Sequence, residues 1–204
     1  MSKTTVASTG IDLSDTFAFT GTVTGTPTGL TFLQGVDADN SAAAITVGSS
    51  SLFSSTYKVY LLQGINLTMA TDTANMHVQF LISGSTKSDA YYRYVRTRMY
   101  AGSSTVSGYA SQGDTQIPYV GESIGTSAGE NGYFTAYLYN PSDTNDYKTF
   151  QMISGTQDSN RDQQQNVTSG SYTADTGPVT GISFFSSSGN IAAGRFNLYG
   201  VANA

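Results

Sequence analysis

The sequence has no cysteine, no tryptophan, a single histidine (His77) and only four prolines in 204 residues. Without cysteine there are no disulfides, no thiolate-held metal and no cysteine nucleophile. Charge is scarce too: Asp, Glu, Lys and Arg together make up 11% of the chain, against roughly a quarter in an average globular domain. Only two glutamates occur, Glu122 and Glu130, and helix formers are thin throughout. Ser, Thr, Asn, Gln and 22 Gly take the place of charge, a composition of strands and turns. The net charge of −5 has the wrong sign for holding a phosphate backbone, so nucleic acid is not expected as a partner. No apolar run approaches the ~18 residues of a membrane-spanning helix, and no membrane partner is expected. The opening MSKTTVASTG lacks the apolar stretch of a secretory signal, which leads to the expectation of a chain made in a cytoplasm and not exported by the Sec route.

What is present is period-two alternation. Ile11, Leu13, Phe17, Phe19 and Val23 fall on one side of a strand-like stretch, interrupted by Asp15, and Asp12, Ser14, Thr16, Ala18, Thr20, Thr22 and Thr24 fall on the other. No second apolar run lies near enough to close a hairpin with it. Gly25 to Gly29 reads as a hinge, Leu30 to Leu33 as a short apolar piece, and the Gly-Ser run at Gly48 to Ser51 as a boundary. Residues 1–50 are therefore expected to form an N-terminal anchoring arm, and residues 51–204 a domain. In that domain Tyr57–Ile65, Asn66–Ala70, His77–Ser83, Tyr91–Tyr100, Tyr133–Asn140, Tyr147–Ser154, Val179–Ser188 and Gly194–Val201 read as successive strands separated by turns. The pattern predicts an all-β fold, an antiparallel jelly-roll-like β-sandwich preceded by an extended arm. The intervals 102–131 and 155–178 carry few apolar residues, and are expected to be long loops that serve function or pack on another subunit.

Chemistry-bearing groups are few. His77 sits in an alternating strand with no marked triad partners and is read as a half-exposed strand residue. Asp37-Ala38-Asp39-Asn40 and Asp143-Thr144-Asn145-Asp146 offer the oxygens that calcium prefers. They lack the spacing of a calcium loop, and the Asx-turn reading is favoured. No phosphate-cradling glycine loop occurs, and no carboxylate pair marks a glycan-cleaving cleft. Neither enzymatic activity nor a cofactor or metal is expected. The stretch YYRYVRTRMY holds three of the nine basic residues. In a strand, Tyr92, Tyr94, Arg96, Arg98 and Tyr100 share one face, and Tyr91, Arg93, Val95, Thr97 and Met99 the other. Neither face is cleanly apolar, and Tyr and Arg are enriched at subunit contacts. The acidic balance argues against stacking on single-stranded nucleic acid. The first face is therefore assigned to a subunit interface, and a structural strand with its arginines paired to carboxylates is kept as a further reading.

The N-terminal SKTTVASTGIDLSDTFAFTGTVTG resembles a segment of virion structural proteins of tailed phages, notably those of marine bacteria and cyanobacteria. FSSTYKVYLLQGINL, VQFLISG and GPVTGISFFSSSGNIAAGRFNLYGV, the last closing in Leu198-Tyr199-Gly200, resemble a small β-sandwich module of the same phages. The resemblance implies a non-enzymatic component of the outer surface of a phage particle, commonly a homotrimer, assembled in the host cytoplasm. Two positions follow from it. One is a capsid decoration or cement protein that binds and stabilises the head, with the major capsid protein or another virion protein as partner. The other is a tail- or head-fibre module that contacts host glycans or a protein receptor. An arm and one module with no shaft between them favour decoration. In either case Ile11, Leu13, Phe17, Phe19 and Val23 are expected to anchor the chain by edge pairing with a neighbour.

Overall fold

Period-two alternation in the sequence becomes two stacked antiparallel sheets. The computed structural model describes residues 29–202, and the anchoring residues Ile11, Leu13, Phe17, Phe19 and Val23 lie outside them. The strands are β1 (Leu30–Ala38), β2 (Ala44–Val47), β3 (Val59–Met69), β4 (Ala74–Ile82), β5 (Ser85–Thr86), β6 (Tyr92–Tyr100), β7 (Ser103–Asp114), β8 (Ile117–Ile124), β9 (Gly132–Tyr139), β10 (Lys148–Gln157), β11 (Gln163–Tyr172), β12 (Val179–Ser186) and β13 (Ile191–Val201). Eight form one sheet in the order β1-β13-β3-β9-β10-β11-β6-β7, and the second sheet runs β2-β12-β4-β5 with β8 also paired to β4. The described chain is an all-β sandwich.

The buried residues of each strand are its alternate ones. In β9, Phe134, Ala136 and Leu138 point inward, and in β4 Met76, Val78, Phe80 and Ile82 meet them from the opposite sheet. Phe184 of β12 packs between Phe134 and Phe196, at ring-centroid distances of 4.9 and 5.2 Å. Phe80 stacks on Tyr92 of β6 at 5.9 Å, joining the sheets at their other end. Each such aromatic, fully buried, contributes about 1.5–3 kcal/mol.

Three sequence expectations need correction. The first is the boundary near Gly48 to Ser51. Leu30–Ala38 pairs with β13 and Ala44–Val47 pairs with β12, so residues 30–47 are built into the sandwich and are not arm. The Gly-Ser run is a fastened turn. Phe53 is buried with its ring 5.0 Å from that of Tyr60, and the Tyr60 hydroxyl donates to Leu52 O at 2.8 Å and accepts from Ser54 N at 2.9 Å. The second concerns the intervals 102–131 and 155–178, which hold β7, β8 and β11. β7 has no buried residue and β11 buries mainly polar residues and glycine, so apolar alternation could not reveal them, while β8 buries Ile117, Val120 and Ile124 at spacings of three and four that do not alternate. Asn66–Ala70, read as a separate strand, continues β3 across a bulge between Gly64 and Leu67, where Asn66 adopts φ 52°.

Candidate functional site

The Tyr/Arg strand β6 turns its expected interface residues inward. Tyr92 is fully buried in the core. Its hydroxyl donates to Lys87 O at 3.0 Å and accepts from Phe80 N at 2.8 Å, and burial pushes its ionisation well above the ordinary tyrosine range. Arg96 is 3% exposed. Its Nη1 lies 2.9 Å from Glu122 Oε2, and Arg98 Nη1 lies 3.2 Å from Glu122 Oε1. The Arg96 guanidinium is also sandwiched between the rings of Tyr109 and Tyr119, at 4.2 and 4.1 Å. Tyr94 is partly buried on the same side, and Tyr100 donates its hydroxyl to Asp162 Oδ2 at 2.7 Å. The assignment of Tyr92, Tyr94, Arg96, Arg98 and Tyr100 to a subunit interface is thus corrected. The strand's twist places this face over β8 of the same chain, whose Glu122 supplies the counter-charge. The exposed face is the other one, Arg93, Val95, Thr97 and Met99.

Strand β8 reaches that position through an irregular backbone. Tyr119 and Ser123 have φ of 60° and 50°, and its register against β4 shifts twice. Side chains take over where the ladder breaks: Ser123 N donates to Asn75 Oδ1 at 2.8 Å and Tyr119 N to His77 Nδ1 at 3.3 Å. His77 therefore serves as a backbone acceptor, 7% exposed, with its ring between those of Tyr119 and Phe185. The expectation of half-exposure is corrected, because β8 covers the ring. Burial holds its pKa down to about 4, against the opposing pull of Asp114, so the imidazole is neutral at pH 7.

Beneath β8 the large sheet presents a polar interior layer. Ser154, Asn166 and Thr168 are fully buried, and Asn166 pairs in register with Ser154 on one side and Arg98 on the other. Ser154 Oγ, Thr168 Oγ1 and both amide atoms of Asn166 have no hydrogen-bond partner within the described chain. Gln164 Nε2 donates to Asp158 Oδ2 at 3.1 Å. Polar atoms buried at this depth need a partner to offset their desolvation. The Asp-rich turns are local. The Asp143 carboxylate accepts from Asn145 N and Asp146 N, which lowers its pKa, and Asp39 accepts from Ser41. Among the described residues no group of three or more His, Asp or Glu is placed to share a metal ion.

The outer surface of the large sheet is the most distinctive feature of the exterior. Register sets its outward residues in rows across five strands: Tyr137, Gln151, Ser169, Val95 and Ala110 in one, and Thr135, Ile153, Val167, Thr97 and Gly108 in the next. Val95 is 61% and Ile153 52% exposed. β6, β9, β10 and β11 contain no Asp or Glu, and Arg93 is their only outward-facing charge. Three shallow depressions of about 400, 470 and 230 Å³ lie on this surface. Sequence reasoning missed Tyr133, Tyr137, Ile153 and Val167. For the first three the signal available was a position one residue out of phase with a cleaner apolar set, Phe134 and Leu138 in β9 and Phe150 and Met152 in β10; Val167 in β11 had no such contrast.

No family model matches the chain, and no curated protein matches it in sequence.

Proposed function

We propose that this chain is a structural subunit of a phage particle: a capsid decoration or cement protein that associates as a homotrimer on the head surface and stabilises it. The virion setting rests on the resemblance of the N-terminal segment and of the LYG-ending strand. The observation that carries the association is the one-sidedness of the exposed apolar residues. Among the described residues thirteen large hydrophobics are exposed, Leu30, Phe32, Ile65, Tyr91, Val95, Met99, Val106, Tyr133, Tyr137, Tyr147, Ile153, Val167 and Tyr109, the last packed against the inward Arg96. All lie on strands of the large sheet or on the residue just before one, and none comes from β2, β4, β5, β8 or β12. Scattered apolar residues need no explanation, but a contiguous patch rimmed by polar residues marks an interaction site. Five strands at ~4.8 Å spacing give the two central rows a width of about 19 Å, the seed of a subunit contact that needs roughly 800 Å² per partner.

A second reading, a fibre module that contacts host glycans, is favoured by one feature of the same surface. Tyr137 and Tyr139 lie side by side on β9 with ring centroids 6.4 Å apart, and Gln151 of β10 stands opposite Tyr137 and accepts from the Tyr139 hydroxyl at 3.0 Å. Uncharged rings beside amides suit sugar hydroxyls and C–H faces. Antibody labelling of intact virions separates the two readings: label over the head supports decoration, and label confined to the tail overturns it. Binding to a glycan array would favour the fibre reading.

A further inference from the structure

We propose that the free edge of β7 is a strand acceptor, and that its donor is residues 11–24 of a second copy of this chain. The inference rests on the assembly reading above and names the contact that joins the copies.

Among the described residues β7 ends the large sheet and pairs only with β6. It is 12 residues long, nine of them exposed, and its sequence SSTVSGYASQGD holds no Lys, Arg or Pro. Those are the residues that natural sheets place on edges to prevent pairing. The ends of the smaller sheet are blunted by brevity, with four residues in β2 and two in β5, or by irregularity in β8, whose register against β4 shifts twice. The opposite edge of the large sheet, β1, shifts register once and β7 twice, but β1 carries Asp37, ion-paired to Arg195, a charge of the kind that guards edges. Opposite β6, β7 is regular from Ser107 to Ser111, so its unused N–H and C=O groups alternate outward as a ladder needs.

The surface beside this edge is also hollowed. Gly108 and Ala110 face outward next to Thr97 and Val95, and depressions of about 400 and 470 Å³ adjoin them. A Cβ placed on Gly108 would meet nothing within 4 Å, and its φ is not in the left-handed range. The chain's own packing and backbone do not require glycine there. Large side chains on an added strand would fill the hollow. The segment 11–24 supplies them on one side only, as Ile11, Leu13, Phe17, Phe19 and Val23.

Reach decides whose segment it is. β1 and β7 stand at opposite ends of eight strands, seven spacings or about 34 Å apart. From residue 24 to Leu30, the first residue of β1, the chain spans at most about 22 Å. That tether is shorter than the path along the sheet, so the pairing is assigned between copies, and it closes a ring when each copy gives and receives once.

The absence of native cysteine makes the test clean. Full-length chains carrying Asp15→Cys, Phe17→Cys or Gly21→Cys are each mixed with full-length, mass-labelled Ala110→Cys chains and oxidised, so that every mixed link is intermolecular. The expected result is a mixed-link yield at least tenfold above that of Thr16→Cys, Ala18→Cys or a Ser188→Cys control. Gly108→Phe, which fills the hollow from within its own chain, should keep the melting transition and lower that yield at least tenfold. Yields equal to the controls overturn the proposal. So does preferential linkage within one chain to Thr31→Cys on β1. Light scattering on the unmodified chain separates the two failures. A trimer without arm links overturns strand exchange and leaves the assembly reading standing, whereas a monomer overturns both.

Discussion

Lowering the pH from 7.5 to 5 should destabilise this protein through one residue. His77 is the only histidine, and burial beneath β8 lowers its pKa from 6.5 to about 4. Above pH 6.5 the imidazole is neutral both folded and unfolded, and contributes no pH dependence. As pH falls below 6.5 the unfolded chain takes up a proton that the folded one refuses, so stability declines, levelling off only below pH 4. With those two pKa values the difference between pH 7.5 and pH 5 is about 2 kcal/mol, or about 4–8 °C in melting temperature for a chain of this length. Side-chain carboxylates titrate chiefly below this window. Urea denaturation at a series of pH values measures the loss, and the single imidazole resonance in a proton NMR titration reports the folded-state pKa directly. His77→Gln, which keeps an acceptor for Tyr119 N, should flatten the profile between pH 7.5 and 5. An NMR midpoint near 6.5 with flat stability would refute the reasoning.

Other perturbations have equally definite outcomes. Glu122→Gln strips the shared carboxylate from Arg96 and Arg98. It should cost about 3–5 kcal/mol in urea denaturation, because a buried guanidinium is left without its counter-charge. Tyr60→Phe deletes the hydroxyl that fastens Leu52 and Ser54 and should cost about 1–3 kcal/mol, with faster proteolysis at residues 49–56. Gly194 has φ +123°, and a Cβ there would stand 2.9 Å from the Leu67 Cα. Gly194→Ala should therefore destabilise by more than ~1 kcal/mol, whereas Gly108→Ala should be nearly neutral.

The β-sandwich was legible wherever the inward residues are apolar. Phe134, Ala136 and Leu138 announce β9, and the run through Phe80 and Ile82 announces β4, because water exclusion selects every second residue. β11 escaped notice because its inward set is Gln164, Asn166, Thr168, Gly170 and Tyr172, a polar alternation with no apolar contrast. β7 has no buried residue at all, and β8 owes its placement to two left-handed residues that no periodicity encodes. For β6 the two faces were separated correctly, but the one assigned to a subunit contact is packed within the chain. Glu122, the partner of Arg96, lies 26 residues downstream, and only the path of β8 brings it there. The apolar outer surface could not be read because its members come from five strands whose order in the sheet departs from their order in the sequence.

The most direct test of association through the large sheet is the light-scattering mass of the full-length chain, beside that of a Val95→Asp, Ile153→Asp double variant. Both side chains are more than half exposed, so the change should leave the fold intact. The unmodified chain should give three times the chain mass and the variant one, with matching circular dichroism. A single-chain mass for the unmodified protein, or a variant that stays trimeric, would contradict that association.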